Sequence, residues 1–346
     1  MEISIIIPTL NRASSLELAI KSFCLQNCSP DNFEILVVDN GSTDNTKDIT
    51  ETARNAFPSH QIRYIYEPEP GLLSGRHRGA LEAKGDILTF VDDDIEADPN
   101  WLQAIKESFD DPTVQIVGGR NLPKYEVEPP EWLEWFWSDH PYGKLCGELS
   151  LLDFGEQIRD IDANYVWGLN FSIRKSTLFE LDGFHPDCIP KHLQYLQGDG
   201  ETGLTQKAKI KGYKAIYQPN ALVFHNVSKD RMTYEYFDKR YFYQGVCDSY
   251  SLIRKNQDKL KDVSFLQKNQ DFFRKIKQLG KKIISIKSDK NIKNEKDALK
   301  ARFHHSYQKG YQFHQNAVHK NPELLNWVLK KDYWDYTLPK INITHD

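Results

Sequence analysis

Short apolar runs alternate with helically spaced stretches through the first third of the chain. Ile3 to Ile7 is a continuous, mostly β-branched run closed by Pro8, while Ser14 to Gln26 sets Leu16, Ala19, Ile20 and Phe23 at helical spacing. Phe33 to Val38 predicts the next strand, with Asp44 placed to cap a helix behind it. Ile62 to Tyr66, a helix from about Leu73 to Ala83, and Asp86 to Val91 complete the series. Strands that are apolar throughout and separated by helices predict a Rossmann-like parallel sheet covered on both faces. Ligands of such sheets gather beyond the carboxyl ends of the strands.

The pattern then changes. Between Leu122 and Pro141, four prolines (Pro123, Pro129, Pro130, Pro141) are interleaved with Trp132, Trp135, Phe136 and Trp137. This predicts either an irregular, aromatic-rich lid whose rings suit the apolar faces of sugars, or a packed connection. Trp167 to Ile173, a following helix, Tyr213 to Tyr217 and Ala221 to Phe224 resume regular structure, and beyond Asp230 the pattern is helical, polar and Lys-rich.

Charge divides the chain at the same point. Residues 1–230 carry 21 basic and 36 acidic side chains, residues 231–346 carry 24 and 13, so a net charge of −4 conceals two parts of opposite sign. The basic part reads as a solvated helical face, or as a surface for anionic lipid or a charged partner. Five cysteines show neither a CxxC pair nor zinc spacing, which predicts a reducing compartment. No apolar run reaches the length of a membrane span.

Polar clusters follow three predicted strands: Pro8-Thr9-Leu10-Asn11-Arg12, Asp39-Asn40-Gly41-Ser42-Thr43-Asp44, and Asp92-Asp93-Asp94. They are expected to converge on one crevice. With no GxGxxG and no Walker sequence, phosphate handling falls to something else, and carboxylates holding a hard cation are the candidate. Such a cation would offset charge on a departing diphosphate. A second acidic group, Gly198-Asp199-Gly200-Glu201, heads a predicted helix; it supplies either a general base or an N-terminal cap and dipole partner.

At these residues the sequence resembles the family 2 glycosyltransferases of the GT-A fold. The resemblance rests on Ser4 to Arg12, Glu34 to Asp44, Ala83 to Asp94, Gly168 to Lys175 and Pro219 to His225, in family order over roughly residues 3 to 230. It implies a mixed, mainly parallel α/β sheet with helices on both faces and a helical C-terminal extension. Residues 1–120 would form the nucleotide-sugar-binding half, 121–230 the acceptor-binding half with the aromatic lid, and 231–346 the basic extension. It implies that Pro8, Thr9 and Arg12 line the nucleotide, that Asp39 and Ser42 lie beside it, and that Arg76 lies near the diphosphate. Asp92 and Asp94 match the DxD pair, Asp93 falls near the ribose, and His225 matches a metal-coordinating histidine. The implied cofactor is Mn²⁺ or Mg²⁺, with Asp94 as first ligand. Trp167, Gly168 and Asn170 match the strand that meets the transferred sugar. The acidic pair is altered, since Gly200 occupies one acidic position; Glu201 is the better-aligned base and Asp199 the other candidate. His77 stands where the family more often has Asn, and its role is open.

The resemblance implies an inverting, metal-dependent transfer from a nucleotide-sugar, UDP-linked by default, to a carbohydrate or lipid-linked glycan acceptor in polysaccharide or glycoconjugate synthesis. No nucleic-acid partner is expected. A cytoplasmic location is expected, with peripheral contact to an anionic membrane through the basic region, for which Arg274 to Ile284 is the amphipathic candidate. The competing readings are a non-catalytic scaffold of the same fold, which the altered acidic pair favours, and a sugar nucleotidyltransferase, which the absence of glycine from Pro8 to Ser15 disfavours.

Overall fold

A computed structural model describes residues 1–186, 191–198, 200–256 and 295–340. They fall into two units, the first comprising Met1–Lys191, Gly200–Met232 and Asp332–Tyr336, the second His192–Asp199, Thr233–Lys331 and Thr337–Asp346.

The first unit begins as the apolar runs require. Strands β1 (Ile3–Thr9), β2 (Phe33–Asp39), β3 (Gln61–Tyr66) and β4 (Ile87–Val91) lie side by side in the order β3-β2-β1-β4, all parallel. Every residue of β1, β2 and β4 is buried because both faces are covered. Alternation along the strands divides their side chains between two cores. Ile3, Ile5, Ile7, Ile35 and Val37 pack with α1 (Ala13–Cys24), whereas Ile6, Leu36 and Val38 pack with α3 (Leu72–Glu82). Helix α2 (Thr46–Ala56) is started by Asp44, whose Oδ1 accepts from Thr46 N at 3.1 Å. The same carboxylate accepts from Ala13 N at 3.0 Å, so it also fixes the start of α1.

Beyond β4 the sheet becomes mixed. After β5 (Ile95–Ala97) and α4 (Trp101–Ser108), β6 (Val114–Tyr125) enters the sheet. Next come the short strands β7 (Ser138–His140), β8 (Gly143–Cys146), β9 (Leu151–Asp153) and β10 (Arg159–Ile161). Strand β11 (Asn170–Arg174) lies antiparallel between β4 and β6, and is followed by α5 (Lys175–Glu180) and α6 (Glu201–Ile210). Strand β12 (Lys214–Val227) runs parallel to β6. It is one strand where the sequence predicts two, with its register shifting between Gln218 and Val223. The close approach there is permitted by Gly119, at which a Cβ would stand 1.8 Å from the Ala221 carbonyl oxygen. The expected lid is largely ordered: Leu122 to Tyr125 continue β6, and residues 131–136 form a 3-10 turn that buries Leu133 and Phe136.

A strap from near the end of the chain closes over α3. Trp334 stacks on His77 at 3.9 Å, and the Tyr336 hydroxyl lies 2.6 Å from both the Leu73 carbonyl and His77 Nδ1. His77 Nε2 accepts the Phe184 N–H at 2.8 Å, so in the neutral ring Nδ1 carries the proton and donates it to the Tyr336 oxygen, which in turn donates to Leu73. This supplies the role that the sequence left open at His77.

The second unit is helical: α7 (Tyr234–Lys255), α8 (Glu295–Lys320) and α9 (Pro322–Val328). Thr233 caps α7 through Tyr236 N, and Asn321 caps α9 through Glu323 N. Helices α7 and α8 meet through paired glycines, since a Cβ on Gly245 would stand 2.2 Å from the Tyr307 oxygen and one on Gly310 1.9 Å from the Phe242 oxygen. Residues 274–284, the proposed amphipathic stretch, lie outside the described residues. Among the described residues no helix is long and apolar enough to cross a membrane.

Two measurements test this packing. Gly310→Ala should cost about 1–3 kcal/mol in denaturant unfolding because backbone must move to admit the methyl group. Gly147→Ala, with nothing within 4 Å of the added carbon, is the neutral control. Burial, with Arg76 beside it, depresses His77 from 6.5 to about 3. Between those values the unfolded chain binds a proton that the folded chain refuses, so stability falls as pH falls, by ~1.4 kcal/mol per unit from this group. His77→Gln should remove that one-proton slope from urea-unfolding free energies measured across this window.

Candidate active site

The strand ends deliver their polar residues together, as parallel topology requires. Thr9 and Asp39 are register partners at the ends of β1 and β2, and Asp92-Asp93-Asp94 leaves the end of β4, the other neighbour of β1. The loops are tied to each other: Ser42 Oγ accepts from Asn11 N at 2.9 Å, and Asn11 Oδ1 accepts from Thr43 N at 2.7 Å. Asn11 adopts a φ of 54° to make these bonds, a conformation that asparagine tolerates better than most residues. Asp39 accepts from Ser42 N at 2.8 Å and from the Tyr64 hydroxyl at 2.6 Å. Burial, and then the Asp39 carboxylate, raise the Tyr64 hydroxyl's pKa, so it stays a donor.

The acidic run carries its own counter-charges. Thr9 Oγ1 donates to Asp93 Oδ2 at 2.7 Å, and Arg12 reaches Asp93 Oδ1 at 2.6 Å and Asp94 Oδ2 at 2.9 Å. Burial pushes Asp93 up to about 7 despite the opposing charge of Arg12. Asp94 goes the other way: burial disfavours its charge, but its charged neighbours, Arg231 and Arg12 among them, hold its carboxyl below the usual range. Arg231 completes this group, with Nη2 at 2.8 Å from Asp94 Oδ2 and Nη1 at 2.5 Å from His225 Nε2. His225 Nδ1 lies 2.8 Å from the Leu149 carbonyl, which fixes the tautomer and leaves the Nε2 lone pair facing Asp94 at 3.5 Å.

A second network begins at Arg76. Only 1% of its side chain is exposed, and its guanidinium pairs closely with Glu201 and lies 3.4 Å from Asp92 Oδ1. The Phe184 ring lies 5.5 Å from the guanidinium carbon. Burial raises the Glu201 carboxyl's pKa, with Arg76 opposing. Gly168 presses against this pair: a Cβ there would meet Glu201 Oε1 at 2.0 Å and Arg76 Nη2 at 2.2 Å. Gly200 has a φ of +77° immediately before α6, and its Cβ would meet Leu73 at 2.7 Å. Backbone conformation therefore accounts for the missing acidic side chain, which removes the main support for a non-catalytic scaffold.

The fold thus joins Thr9, Arg12, Asp93, Asp94 and His225 in one group and Arg76, Asp92 and Glu201, with Gly168, in another. Asp39 and Ser42 sit at the neighbouring strand end, and Pro8 is buried beneath Gly75. Trp167 is half-buried, its Nε1 donating to Asn164 O at 3.1 Å. Asn170 is buried at the start of β11. Its amide donates to Asn121 Oδ1 and Ala221 O and accepts from Trp101 Nε1, all within 3.1 Å, so it ties β11 to β6, β12 and α4. Asp199 lies outside the described residues.

The fit of a divalent cation is partial but specific. Among the described residues no three Asp, Glu, His or Cys side chains close on one point, and Asp92 pairs with Arg76 instead of joining Asp94. Asp94 and His225 do converge, and Asp94 Oδ1 is buried with no hydrogen-bond partner among the described residues. Two protein ligands suit a cation that completes its shell with phosphate and water oxygens. The Leu149 carbonyl was not read as a site group from the sequence, and Arg231 was read only among the basic and aromatic residues that open the region after Asp230, in a helix that could close over a phosphate-bearing substrate; it ends a 3-10 turn instead. The signal for Arg231 was charge balance, since a buried acidic run needs cations; a backbone carbonyl leaves none.

Known proteins resemble this chain in sequence and in fold. A glucosyl-dolichyl phosphate glucuronosyltransferase from Haloferax volcanii is 22% identical over 250 residues, covering 71% of this chain and 75% of that one. A validoxylamine A glucosyltransferase from Streptomyces hygroscopicus is 27% identical over 203 residues, covering 54% of this chain and 44% of its own length. Among solved structures, a mannosyltransferase from Pyrobaculum calidifontis in complex with GDP-Man and Mn²⁺ superposes with a TM-score of 0.50 at 18% identity, covering 97% of this chain and 88% of that one. Residues 4–176, half of the chain, match the family described as Glycosyl transferase family 2, and the chain is a member of that glycosyltransferase family with the GT-A fold.

Proposed function

We propose that this enzyme transfers a sugar from a nucleoside-diphosphate sugar to an acceptor hydroxyl with inversion. The observation that carries the reading is the buried Arg76, which joins a carboxylate at the head of α6 to the acidic run at the end of β4. Residues 1–120 would bind the nucleotide, with Pro8, Thr9, Arg12, Asp39 and Ser42 lining it and Asp93 near the ribose. Asp94 and His225, with Asp92 nearby, would hold Mn²⁺ or Mg²⁺. When bound, the cation would neutralise charge on the departing diphosphate.

The chain's own groups supply the rest. Arg76 orients Glu201, and burial keeps that carboxylate basic enough to take the proton of an acceptor hydroxyl. Gly168, by lacking a side chain, leaves the pair in place beneath the transferred sugar. One base suffices, because inversion requires only deprotonation of the attacking oxygen opposite the leaving group. Residues 121–230 would receive the acceptor, a carbohydrate or a lipid-linked glycan; the Haloferax relative's name carries a glucosyl-dolichyl phosphate. An anionic-membrane contact through the basic residues after 231 rests on charge alone.

Nucleotide release from a panel of UDP- and GDP-sugars with Mn²⁺ tests the reading, and Asp94→Ala or excess chelator should abolish it. Full turnover in chelator would overturn the cation assignment. Glu201→Gln should retain donor binding and lower kcat by about 10²–10⁴. A base acts only when deprotonated, so kcat/KM should fall as pH drops through the Glu201 pKa, at a pH above the ordinary 4.5 because burial raises it. That acidic limb should vanish in Glu201→Gln.

A further inference from the structure

The space between Asp94 and His225 is filled by a side chain of this protein. Arg231 ends the 3-10 turn Lys229–Arg231 that follows β12, and its guanidinium spans Asp94 Oδ2 and His225 Nε2 at 2.8 and 2.5 Å. These two atoms, 3.5 Å apart, belong to the two residues assigned above to a divalent cation. Arg12 also reaches Asp94, but its other nitrogen goes to Asp93, so it braces the acidic run. Arg231 alone among the described residues joins both candidate ligands. A guanidinium offers donors only, and here it adds to the Arg12 bond on the Asp94 carboxylate and satisfies the buried His225 Nε2 lone pair.

We propose that Arg231 is a built-in stand-in for the cation, exchanged for it when the donor arrives, and that it makes cation binding depend on the donor diphosphate. The proposal rests on the cation reading given above. A guanidinium and a dication cannot both hold these atoms. Arg12 and Arg231 formally balance Asp93 and Asp94, so a dication arriving alone meets two carboxylates already paired and must displace the Arg231 guanidinium to reach the His225 lone pair. A diphosphate changes both terms, because it offsets the dication and offers the displaced guanidinium a new acceptor. Cation and donor then favour each other, and by linkage each tightens the other equally. The Arg231 side chain is 23% exposed against 4% for Asp94 and for His225, so it can swing outward while the two ligands stay fixed.

Mn²⁺ binding to the full chain, read from the EPR signal of the free ion, tests the exchange without turnover. Wild type, Arg231→Ala, Arg231→Lys and the Arg231→Ala/Asp94→Ala double variant are titrated with Mn²⁺ alone, then with UDP or GDP present against protein-free blanks. Arg231→Ala should bind Mn²⁺ alone at least about tenfold tighter than wild type, the equivalent of removing one charge-assisted competitor. Arg231→Lys should fall between, the double variant should lose the gain, and the factor by which nucleotide tightens Mn²⁺ binding should shrink in Arg231→Ala. Thermal midpoints in chelator verify folding, and should the alanine variant not fold, Arg231→Lys carries the comparison. Unchanged or weaker Mn²⁺ binding in the folded Arg231 variants, beside measurable binding by wild type, overturns the exchange and leaves the cation reading standing. Absence of Mn²⁺ binding by every form, with nucleotide or without, overturns both.

Discussion

A guanidinium cannot shed its charge, so burying Arg76 obliges the fold to bring carboxylates to it. Glu201 comes from α6 and Asp92 from the end of β4, 125 and 16 residues away in sequence. The three elements are thereby held to one another by charge as well as by the apolar core that Leu73, Leu88 and Leu204 share. Gly168 follows from the same constraint, because any side chain there would occupy the volume of the ion pair. The strap across His77, the next residue of α3, secures the helix from its other side, and the Phe184 ring joins the two: it faces Arg76, and its own backbone N–H is received by His77.

The acidic run at the end of β4 poses the converse problem. Parallel strands end at one edge, so three consecutive carboxylates are driven into a partly buried space where like charges crowd. The fold answers with a cation for each, one of them shared. Asp92 takes Arg76, Asp93 takes Thr9 and Arg12, and Asp94 takes Arg12 and Arg231. The differing fates of their protons follow from this division: Asp93 has burial as its dominant influence and moves up, while Asp94 has enough cationic neighbours to move down.

What was legible in the sequence was whatever rests on local pattern. Strands β1 to β4 and the helices between them are read from apolar runs, because burial on both faces leaves no polar position to confuse the period. Strand β6 was not read, since Gly118, Gly119, Arg120, Asn121 and Pro123 lack the look of a strand; Gly119 is there for the Ala221 carbonyl, a contact a hundred residues distant that no local window contains. Strand β12 was divided for the same reason, its polar Gln218-Pro219-Asn220 marking a shift in register rather than an end. Within the site, family resemblance identified the residue types, but the pairing had to be seen. Asn170 is bonded to Asn121, Ala221 and Trp101, none of them near it in sequence, and His77 was unassigned because its partner Tyr336 lies 259 residues away.

The altered acidic pair shows how backbone and chemistry are separated at α6. An N-terminal helix position with φ of +77° suits glycine, because a side chain there costs on the order of 1 kcal/mol and would in addition strike Leu73. The position before the helix thus serves the turn, and Glu201, first in the helix, is the carboxylate proposed as the base. Its carboxylate receives one fork of Arg76 while the other fork reaches Asp92, an arrangement that a lysine, with its single point charge, could not reproduce in fixed geometry. A carboxylate so held is oriented without being neutralised, since burial raises its proton affinity against the lowering effect of Arg76. Orientation from one neighbour and basicity from burial are what a single general base requires.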